Sequence, residues 1–175
     1  LWAKGIGEYV EAAKIIKEKY TNVEFQLLGF LDTASPTAIS KEQMDIWVSD
    51  SLVNYIGTSD DVKIEIAKVD CMVLPSYYRE GTPRTLLESA GMAKPIITTD
   101  NVGCRDVVDD GINGYLCEIR NSKDLADKME MMINLSNDER KTMGDAGRDK
   151  IVKEFDEKIV INKYLESIKD ILESK

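Results

Sequence analysis

Short apolar runs alternate along the chain with longer stretches in which apolar residues recur every three or four positions. A continuous apolar run is typical of a buried parallel strand, whereas the wider spacing is typical of a helix with one apolar face. The predicted strands are residues 23–29, 52–56, 71–74, 95–98 and 115–118. Because strands and helices alternate in sequence, the pattern predicts an α/β domain with a mainly parallel sheet and helices on both faces.

Capping residues mark where the predicted helices begin. Serines that can accept a hydrogen bond from a free backbone N–H precede three of the helical stripes: Ser40, Ser122 and Ser136. Ser59 or Asp60 is expected to cap a further helix that ends at residue 67. The last helix, residues 156–174, carries an apolar stripe that is predicted to face the core: Ile159, Val160, Tyr164, Ile168 and Ile171.

Residues 71–100 are predicted to form a strand, a loop, a helix and a second strand, in this order. Pro75 ends the first strand, because a proline cannot continue a hydrogen-bonded ladder. Thr82 and Pro83 are predicted to open the helix, the threonine as its cap and the proline at its first position. Pro95 ends the helix, since it disfavours a helical conformation in the residue before it. The apolar residues of this helix are expected to pack on the sheet: Leu86, Leu87 and Ala90.

The start of this helix has the features of an anion site. In a parallel sheet it lies at the carboxyl end of a strand, where open α/β sheets bind ligands. Its free backbone N–H groups belong to four residues: Gly81, Thr82, Arg84 and Thr85. Gly81 has no side chain to keep a phosphate away, and the carboxylates of Glu80 and Glu88 flank the site. N–H groups for phosphate and carboxylates for hydroxyls suit a phosphorylated polyol.

Each of these features also has an ordinary structural explanation. A glutamate in a first turn is often only a favourable charge near the helix dipole. Lys4, in the loop before the first helix, is also consistent with an ordinary solvent-exposed lysine. The turn around Gly57 is also consistent with a simple connection between a strand and a helix. The helix start alone therefore leaves a functional site and a structural turn both open.

Composition excludes several classes of function. The 175 residues are 43% apolar, which suits one domain with a sizeable core, and a formal charge of −9 argues against binding nucleic acid or an anionic membrane surface. There is no histidine, so any chemistry must use carboxylates, cations and backbone dipoles, and no metal site is predicted. The three cysteines lack metal-ligand spacing, which fits reduced thiols.

Residues 80–88 have the order Glu80-Gly-Thr-Pro-x-x-x-x-Glu88, with LPS before them and AKPIITTD and GCRDVVDDGINGYL after them. This order resembles the donor-binding half of the retaining glycosyltransferases of family four. The resemblance runs along nearly the whole chain and implies a Rossmann-like half of a GT-B fold. It implies that Glu80 contacts hydroxyls of the donor sugar, that residues 81–83 line the sugar and diphosphate, and that Glu88 holds the ribose hydroxyls. Lys4, in a Lys-Gly pair that matches the family, would bind the diphosphate, and Gly57 would lie beside the nucleobase.

Within that family, the resemblance is greatest to bacterial enzymes that add a hexosyl or N-acetylhexosaminyl unit to lipid-linked polysaccharide precursors. It implies retaining transfer from a UDP-linked sugar in capsular or surface polysaccharide synthesis, with Glu80 and Lys4 as catalytic residues and no cofactor or metal. The implied partners are the donor, a glycan or lipid-linked acceptor, and an N-terminal acceptor domain. The implied location is cytoplasmic, with contact to the inner membrane face made only through that other domain.

Two other functions stay open at this point. A UDP-sugar 2-epimerase has the same two-domain fold but normally needs histidine, and a nucleotide-binding module would bind without catalysis. The family pattern also places a strand before Lys4 in the middle of the sheet, between residues 23–29 and 71–74. We interpret the chain as a fragment without that strand, and expect these two strands to close onto each other or to pair with another chain.

Overall fold

The centre of the fold consists of two parallel sheets. The computed structural model describes residues 1–31, 35–79 and 81–173. The first sheet contains β1 (Gln26–Leu28) and β2 (Asn54–Gly57), and the second contains, side by side, β3 (Met72–Leu74), β4 (Ile96–Thr99) and β5 (Gly114–Cys117). Every pairing is parallel, as the alternation of strands and helices predicts.

Helices surround both sheets. In chain order they are α1 (Ile6–Lys17), α2 (Lys41–Ser49), α3 (Val62–Lys68), α4 (Arg84–Gly91), α5 (Ser122–Asn134), α6 (Asn137–Glu154) and α7 (Glu157–Glu173), with a short 3-10 turn at Trp2–Lys4 before α1. Two predicted caps are confirmed: Ser40 accepts from the Gln43 amide, and Ser136 forms a capping box with Glu139. The α/β class and these two helix starts are therefore confirmed.

Two other predicted caps are wrong by one or two positions. The Asp61 carboxylate caps α3 by accepting from the Lys63 amide, in place of Ser59 or Asp60. Asn121 caps α5 by accepting from the Asp124 amide at 3.0 Å, and Ser122 becomes the first helical residue. In both cases adjacent residues could serve as caps, and the helix begins one residue after the side chain that reaches its first free amide.

Two apolar clusters form the core. The larger one lies between the sheets and the pair α1 and α5, which pack on each other. The smaller one lies beneath β3 and β4 and contains Leu86 and Ala90 of α4, as predicted, together with four further buried residues: Ile96, Cys104, Val107 and Val108. Cys104 and Val107 belong to a series of turns after β4, and Val108 directly follows these turns.

The predicted inward stripe of α7 is wrong. None of the described residues of α7 is buried, and Val160, Tyr164 and Ile168 have exposed fractions of 56%, 68% and 53%. Helical spacing shows that one face of a helix is apolar, but it does not show which surface covers that face.

The packing of β5 against β4 leaves no space for a side chain at Gly114. A Cβ atom placed there would lie 2.1 Å from the carbonyl oxygen of Ile96, its partner in the ladder. The two backbones therefore approach each other closely at the first pair of this parallel ladder.

The expectation that β1 and β3 close onto each other is also wrong. Within the described residues β1 pairs only with β2, and β3 pairs only with β4. A cleft of about 990 Å³ separates the two strands. β1 is shorter than the predicted 23–29, and β3 is half-buried instead of covered on both faces. Pairing with another chain stays a prediction.

The corrected cap of α5 gives a direct test. We expect Asn121→Ala to lower the free energy of unfolding by about 1 kcal/mol, within the usual 0.5–2 range, because the Asp124 amide loses its acceptor. Ser122→Ala is the matched control and should change it by no more than about 0.5 kcal/mol. Urea unfolding followed by circular dichroism measures both variants. A larger loss for Ser122→Ala would contradict the assigned cap.

Candidate functional site

The cleft between β1 and β3 opens at the carboxyl ends of the strands. In parallel strands these ends share one edge, and ligands bind there in open α/β sheets. The residues that line the cleft at this edge come from three separate segments of the chain: Lys4, Thr58, Ser59, Pro83, Arg84 and Thr85. Residues that are far apart in sequence therefore meet where the two sheets come side by side.

Helix α4 starts at this edge without a side-chain cap. Its N-cap residue is Pro83, and no side chain accepts a hydrogen bond there, so the predicted cap at Thr82 is wrong, as is the placement of Pro83 inside the helix. The Pro83 carbonyl accepts the amides of Leu86 and Leu87. In the described part of the chain, no acceptor bonds the amides of Arg84 and Thr85. These two N–H groups and the helix dipole are available to an anion.

Glu88 lies one turn inside α4 and pairs with Arg84. The Arg84 Nε atom lies 3.0 Å from Glu88 Oε1, because residues four apart lie on the same face of a helix. The arginine side chain is 90% exposed and the glutamate side chain 33%, so the pair contributes little to stability. The contact holds the two side chains against each other on one face of α4.

Lys4 is held near the same edge by contacts of the chain around it. The Ala3 carbonyl accepts the amides of Tyr77 and Tyr78, each at 3.1 Å, so the turn before α1 is bonded to the loop after β3. The Lys4 ammonium lies 5.7 Å from the centre of the Tyr78 ring, a distance typical of a cation–π contact. Lys4 and the loop after β3 are therefore positioned together.

Side chains beyond the predicted set hold the loop after β3. Thr99 donates to the Ser76 carbonyl, and Asn101 donates to the Tyr78 carbonyl at 3.2 Å. The Arg120 guanidinium lies 4.3 Å from the centre of the Tyr77 ring. The sequence analysis missed these residues, although a run of polar residues directly after a buried strand is the signal that could have found them.

The predicted site residues have different places in the structure. Lys4, Arg84 and Thr85 line the cleft together with Pro83. Gly57 ends β2 with φ of 75°, next to the cleft residue Thr58, and Gly81, Thr82 and Glu88 lie outside the cleft lining. Glu80 lies outside the described residues. The structure brings Lys4 and the start of α4 to one edge, and the roles of all these residues stay predictions.

Two titratable groups on the cleft wall are neutral near pH 7. Burial raises the pKa of the Tyr9 hydroxyl well above its ordinary value, and this hydroxyl donates to the Gln26 carbonyl at 3.2 Å. Burial also raises the pKa of the Cys71 thiol to about 12. Because Tyr9 and Cys71 are neutral, they add no phenolate or thiolate charge opposite the cations at the carboxyl edge, Lys4 and Arg84.

Across residues 1–31, 35–79 and 81–173, no group of three or more carboxylate or thiol side chains has an arrangement that could hold a metal ion. In the same ranges no helix combines the length and the apolar content needed to cross a bilayer.

Comparison with known proteins identifies related sequences. The profile of the family described as Glycosyl transferases group 1 matches residues 1–134. An N,N'-diacetylbacillosaminyl-diphospho-undecaprenol alpha-1,3-N-acetylgalactosaminyltransferase of Campylobacter jejuni is 30% identical, over 94% of this chain and 41% of the relative. A capsular polysaccharide biosynthesis glycosyltransferase of Staphylococcus aureus, CapM, is 30% identical over 90% of this chain and 40% of the relative. The chain thus spans about two fifths of the length of these relatives.

A solved structure shows the same fold. HepE of Anabaena, crystallised in complex with UDP, superposes with a TM-score of 0.84 over 97% of this chain and 46% of that protein, at 19% identity. At this identity the likeness shows the fold, which is that of GT-B glycosyltransferases. The fold class implied by the motif order is therefore confirmed.

Two glycines with the same backbone conformation allow a test of the contact between the turn at Trp2–Lys4 and the loop after β3. Gly5 and Gly57 have φ of 76° and 75°, but a Cβ atom on Gly5 would lie 2.0 Å from the Pro75 carbonyl oxygen, whereas one on Gly57 would meet nothing within 4 Å. Both alanine variants incur the left-handed cost of about 1–2 kcal/mol. We expect Gly5→Ala to lose about 1–3 kcal/mol more, because it must also push the turn away from the loop after β3.

Chemical unfolding of both variants measures this difference. Equal losses of the free energy of unfolding would contradict the close contact between the turn that carries Lys4 and the loop after β3.

Proposed function

This chain belongs to the glycosyl transferases of group 1, and from that premise we propose that it binds the nucleotide-sugar donor in a retaining glycosyl transfer. One observation carries the proposal: the uncapped start of α4, with the amides of Arg84 and Thr85 open to an anion, lies with Lys4 along the carboxyl edge of the cleft. A donor diphosphate is an anion of the size and charge that such an edge suits.

The donor fits this edge in one orientation. Its diphosphate lies against the start of α4 and Lys4, with the backbone from Gly81 to Pro83 along the phosphates and sugar. Glu88 accepts from the ribose hydroxyls with the carboxylate oxygen that does not contact Arg84. The loop at Gly57 lies beside the base, and Glu80 accepts from the sugar hydroxyls. The nucleotide is a uridine diphosphate, a choice supported by the UDP complex of HepE, which has the same fold.

The chemistry is stabilisation of a leaving group. Negative charge grows on the diphosphate as the glycosidic bond breaks, and the α4 dipole, two amides and Lys4 stabilise it without a metal ion. Each donor of this kind contributes about 2.7–4 kcal/mol to the transition state. We assign Glu80 and Glu88 to positioning the substrate, since the chain has no histidine to act as a general acid or base. The acceptor attacks from the face that the diphosphate leaves, so the configuration is retained.

The acceptor and the partner domain follow from the relatives. The Campylobacter relative is named for transfer to a diphospho-undecaprenol glycan, and CapM for capsular polysaccharide synthesis. We therefore propose that the intact protein adds a hexosyl or N-acetylhexosaminyl unit to a lipid-linked or other glycan in surface polysaccharide synthesis. An N-terminal domain of the same polypeptide would hold the acceptor, on the cytoplasmic face of the membrane.

The test is an assay of the full-length protein with labelled UDP-sugars and a lipid-diphosphate sugar acceptor. We expect a glycosylated lipid whose new linkage has the anomeric configuration of the donor, measured by NMR coupling constants. An inverted linkage would contradict retention. Conversion of the UDP-sugar without acceptor would indicate an epimerase, and binding without turnover would indicate a nucleotide-binding module.

The two glutamates are expected to affect binding differently. Glu88→Ala should weaken the binding of UDP and of the UDP-sugar alike, by about 1.5–3 kcal/mol, because both ligands lose a charge-assisted bond to ribose. Glu80→Ala should spare UDP and weaken the intact UDP-sugar. Calorimetry with both ligands measures these losses.

A matched control is Asp145→Ala, which removes a similar helical ion pair, with Lys141 on α6. It should leave both affinities unchanged. A loss of UDP affinity in Glu80→Ala as large as its loss of UDP-sugar affinity would show that the proposed division of roles is wrong.

Donor binding and transfer by the intact protein should survive EDTA. The described residues contain no group of three or more carboxylate or thiol side chains that could hold a metal ion, and the proposed site instead meets the diphosphate charge with N–H groups and Lys4. Activity lost in EDTA and regained only with Mn²⁺ or Mg²⁺ would contradict this expectation.

A further inference from the structure

The loop after β3 carries two adjacent tyrosines, and the ring of each lies near a cation from another segment. The Lys4 ammonium lies 5.7 Å from the centre of the Tyr78 ring. The Arg120 guanidinium lies 4.3 Å from the centre of the Tyr77 ring. The face of an aromatic ring carries partial negative charge, so it attracts a cation within about 6 Å. The two pairs share this chemistry, but of the two cations only Lys4 lines the cleft.

Backbone bonds to three segments fix the position of Tyr78. Its amide donates to the Ala3 carbonyl at 3.1 Å and to Ser76 Oγ at 3.3 Å. Its carbonyl accepts from the Asn101 side chain at 3.2 Å. The ring itself is 56% exposed, so it is not part of the core. Because the bonds involve backbone atoms of Tyr78, they do not require an aromatic side chain at this position.

The backbone of Lys4 is also fixed. Its amide donates to the Leu1 carbonyl at 3.1 Å, and the next residue, Gly5, has φ of 76° and lies against the Pro75 carbonyl. The lysine side chain has a flexible four-carbon stem, and ordering such a stem costs much rotamer entropy. A contact that holds the ammonium in place before a ligand arrives reduces the entropy that is lost on binding.

The ring of Tyr78 also restricts the side from which an anion reaches Lys4. The face that attracts the ammonium repels a phosphate, because both the face and the phosphate are negative. A diphosphate is therefore expected to meet the ammonium on the side away from the ring. Lys4 lines the cleft together with Arg84 and Thr85 of α4, whereas Tyr78 lies outside that lining. This arrangement agrees with an approach from the cleft.

We propose that Tyr78 is a positioning residue whose ring holds the Lys4 ammonium in place for the donor diphosphate. The inference rests on the proposed function, in which Lys4 binds that diphosphate, and Tyr78 acts only through Lys4. A cation that is already in place stabilises the charge that grows on the leaving group without further reorganisation. Loss of the ring should therefore lower kcat as well as the affinity for UDP.

A double-mutant cycle in the full-length protein tests this role. Calorimetry measures the affinity for UDP in the unmodified protein, in Tyr78→Leu, in Lys4→Met and in the double variant. We expect Tyr78→Leu to weaken UDP binding about two- to fivefold, which corresponds to an exposed cation–π contact. It should cause no further loss once Lys4 is replaced. Tyr78→Phe keeps the ring and should bind UDP as the unmodified protein does.

The transfer reaction gives a second readout. With labelled UDP-sugar and the lipid-diphosphate sugar acceptor, Tyr78→Leu should lower kcat and leave the KM for the acceptor unchanged. Tyr78→Phe should restore kcat. A variant that only lost folded protein would show lower activity in proportion to its folded fraction, which circular dichroism measures separately.

Tyr77→Leu is the matched control. Tyr77 bonds the same Ala3 carbonyl and also lies near a cation, Arg120, but that cation does not line the cleft. Tyr77→Leu should therefore change the affinity for UDP by the same factor with Lys4 present and with Lys4→Met. Because the readout is the difference between these two backgrounds, a general loss of stability cancels.

Three results would overturn the inference. If Lys4→Met weakens UDP binding but Tyr78→Leu acts equally in both backgrounds, Tyr78 has only a structural role, and the proposed function stands. If Tyr78→Phe loses as much affinity as Tyr78→Leu, the effect belongs to the hydroxyl group and not to the ring. If Lys4→Met leaves the affinity for UDP unchanged, Lys4 does not bind the diphosphate, and that part of the proposed function fails together with the inference.

Discussion

The bond between the turn at Trp2–Lys4 and the loop after β3 is the contact on which the site depends. The Ala3 carbonyl accepts two amides of that loop, and Gly5 lies against the Pro75 carbonyl. No strand pairing joins the two sheets within the described residues, so side-chain packing and this bond hold them side by side. The carboxyl edge, where a diphosphate would lie, is consequently built from both halves of the fold.

Local chemistry was sufficient to predict most elements from the sequence. The apolar runs located the strands, and Ser40, Ser136 and Pro95 marked where helices begin or end, because each acts on its own backbone within a few residues. Local chemistry could not choose between adjacent caps, as at Asn121 and Ser122, since both side chains can accept an amide bond. Nor could it show what covers the apolar face of α7, because that depends on surfaces far away in sequence.

The candidate site, too, was predictable only where the signal lies in neighbouring residues. The start of α4 could be derived from a strand, a loop and a proline, whereas Lys4 entered only through a family resemblance, because nothing local distinguishes it from a solvated lysine. The contacts of Thr99 and Arg120 with the loop after β3 connect residues more than twenty positions apart, so a polar run after a strand can mark these residues but cannot identify their partners. Position 80 is outside the described residues, so the structure neither supports nor contradicts its place.

The close approach at Gly114 fixes the register of β5 against β4, because a residue with a side chain cannot occupy that position. If β5 slipped by one residue, Tyr115 would stand opposite Ile96, and its Cβ atom would need the space that the carbonyl oxygen occupies. Such a slip would also turn every side chain of the strand to the other face of the sheet. Gly114 therefore favours the native register because the shifted register is sterically excluded. This effect does not come from contacts that the glycine itself makes.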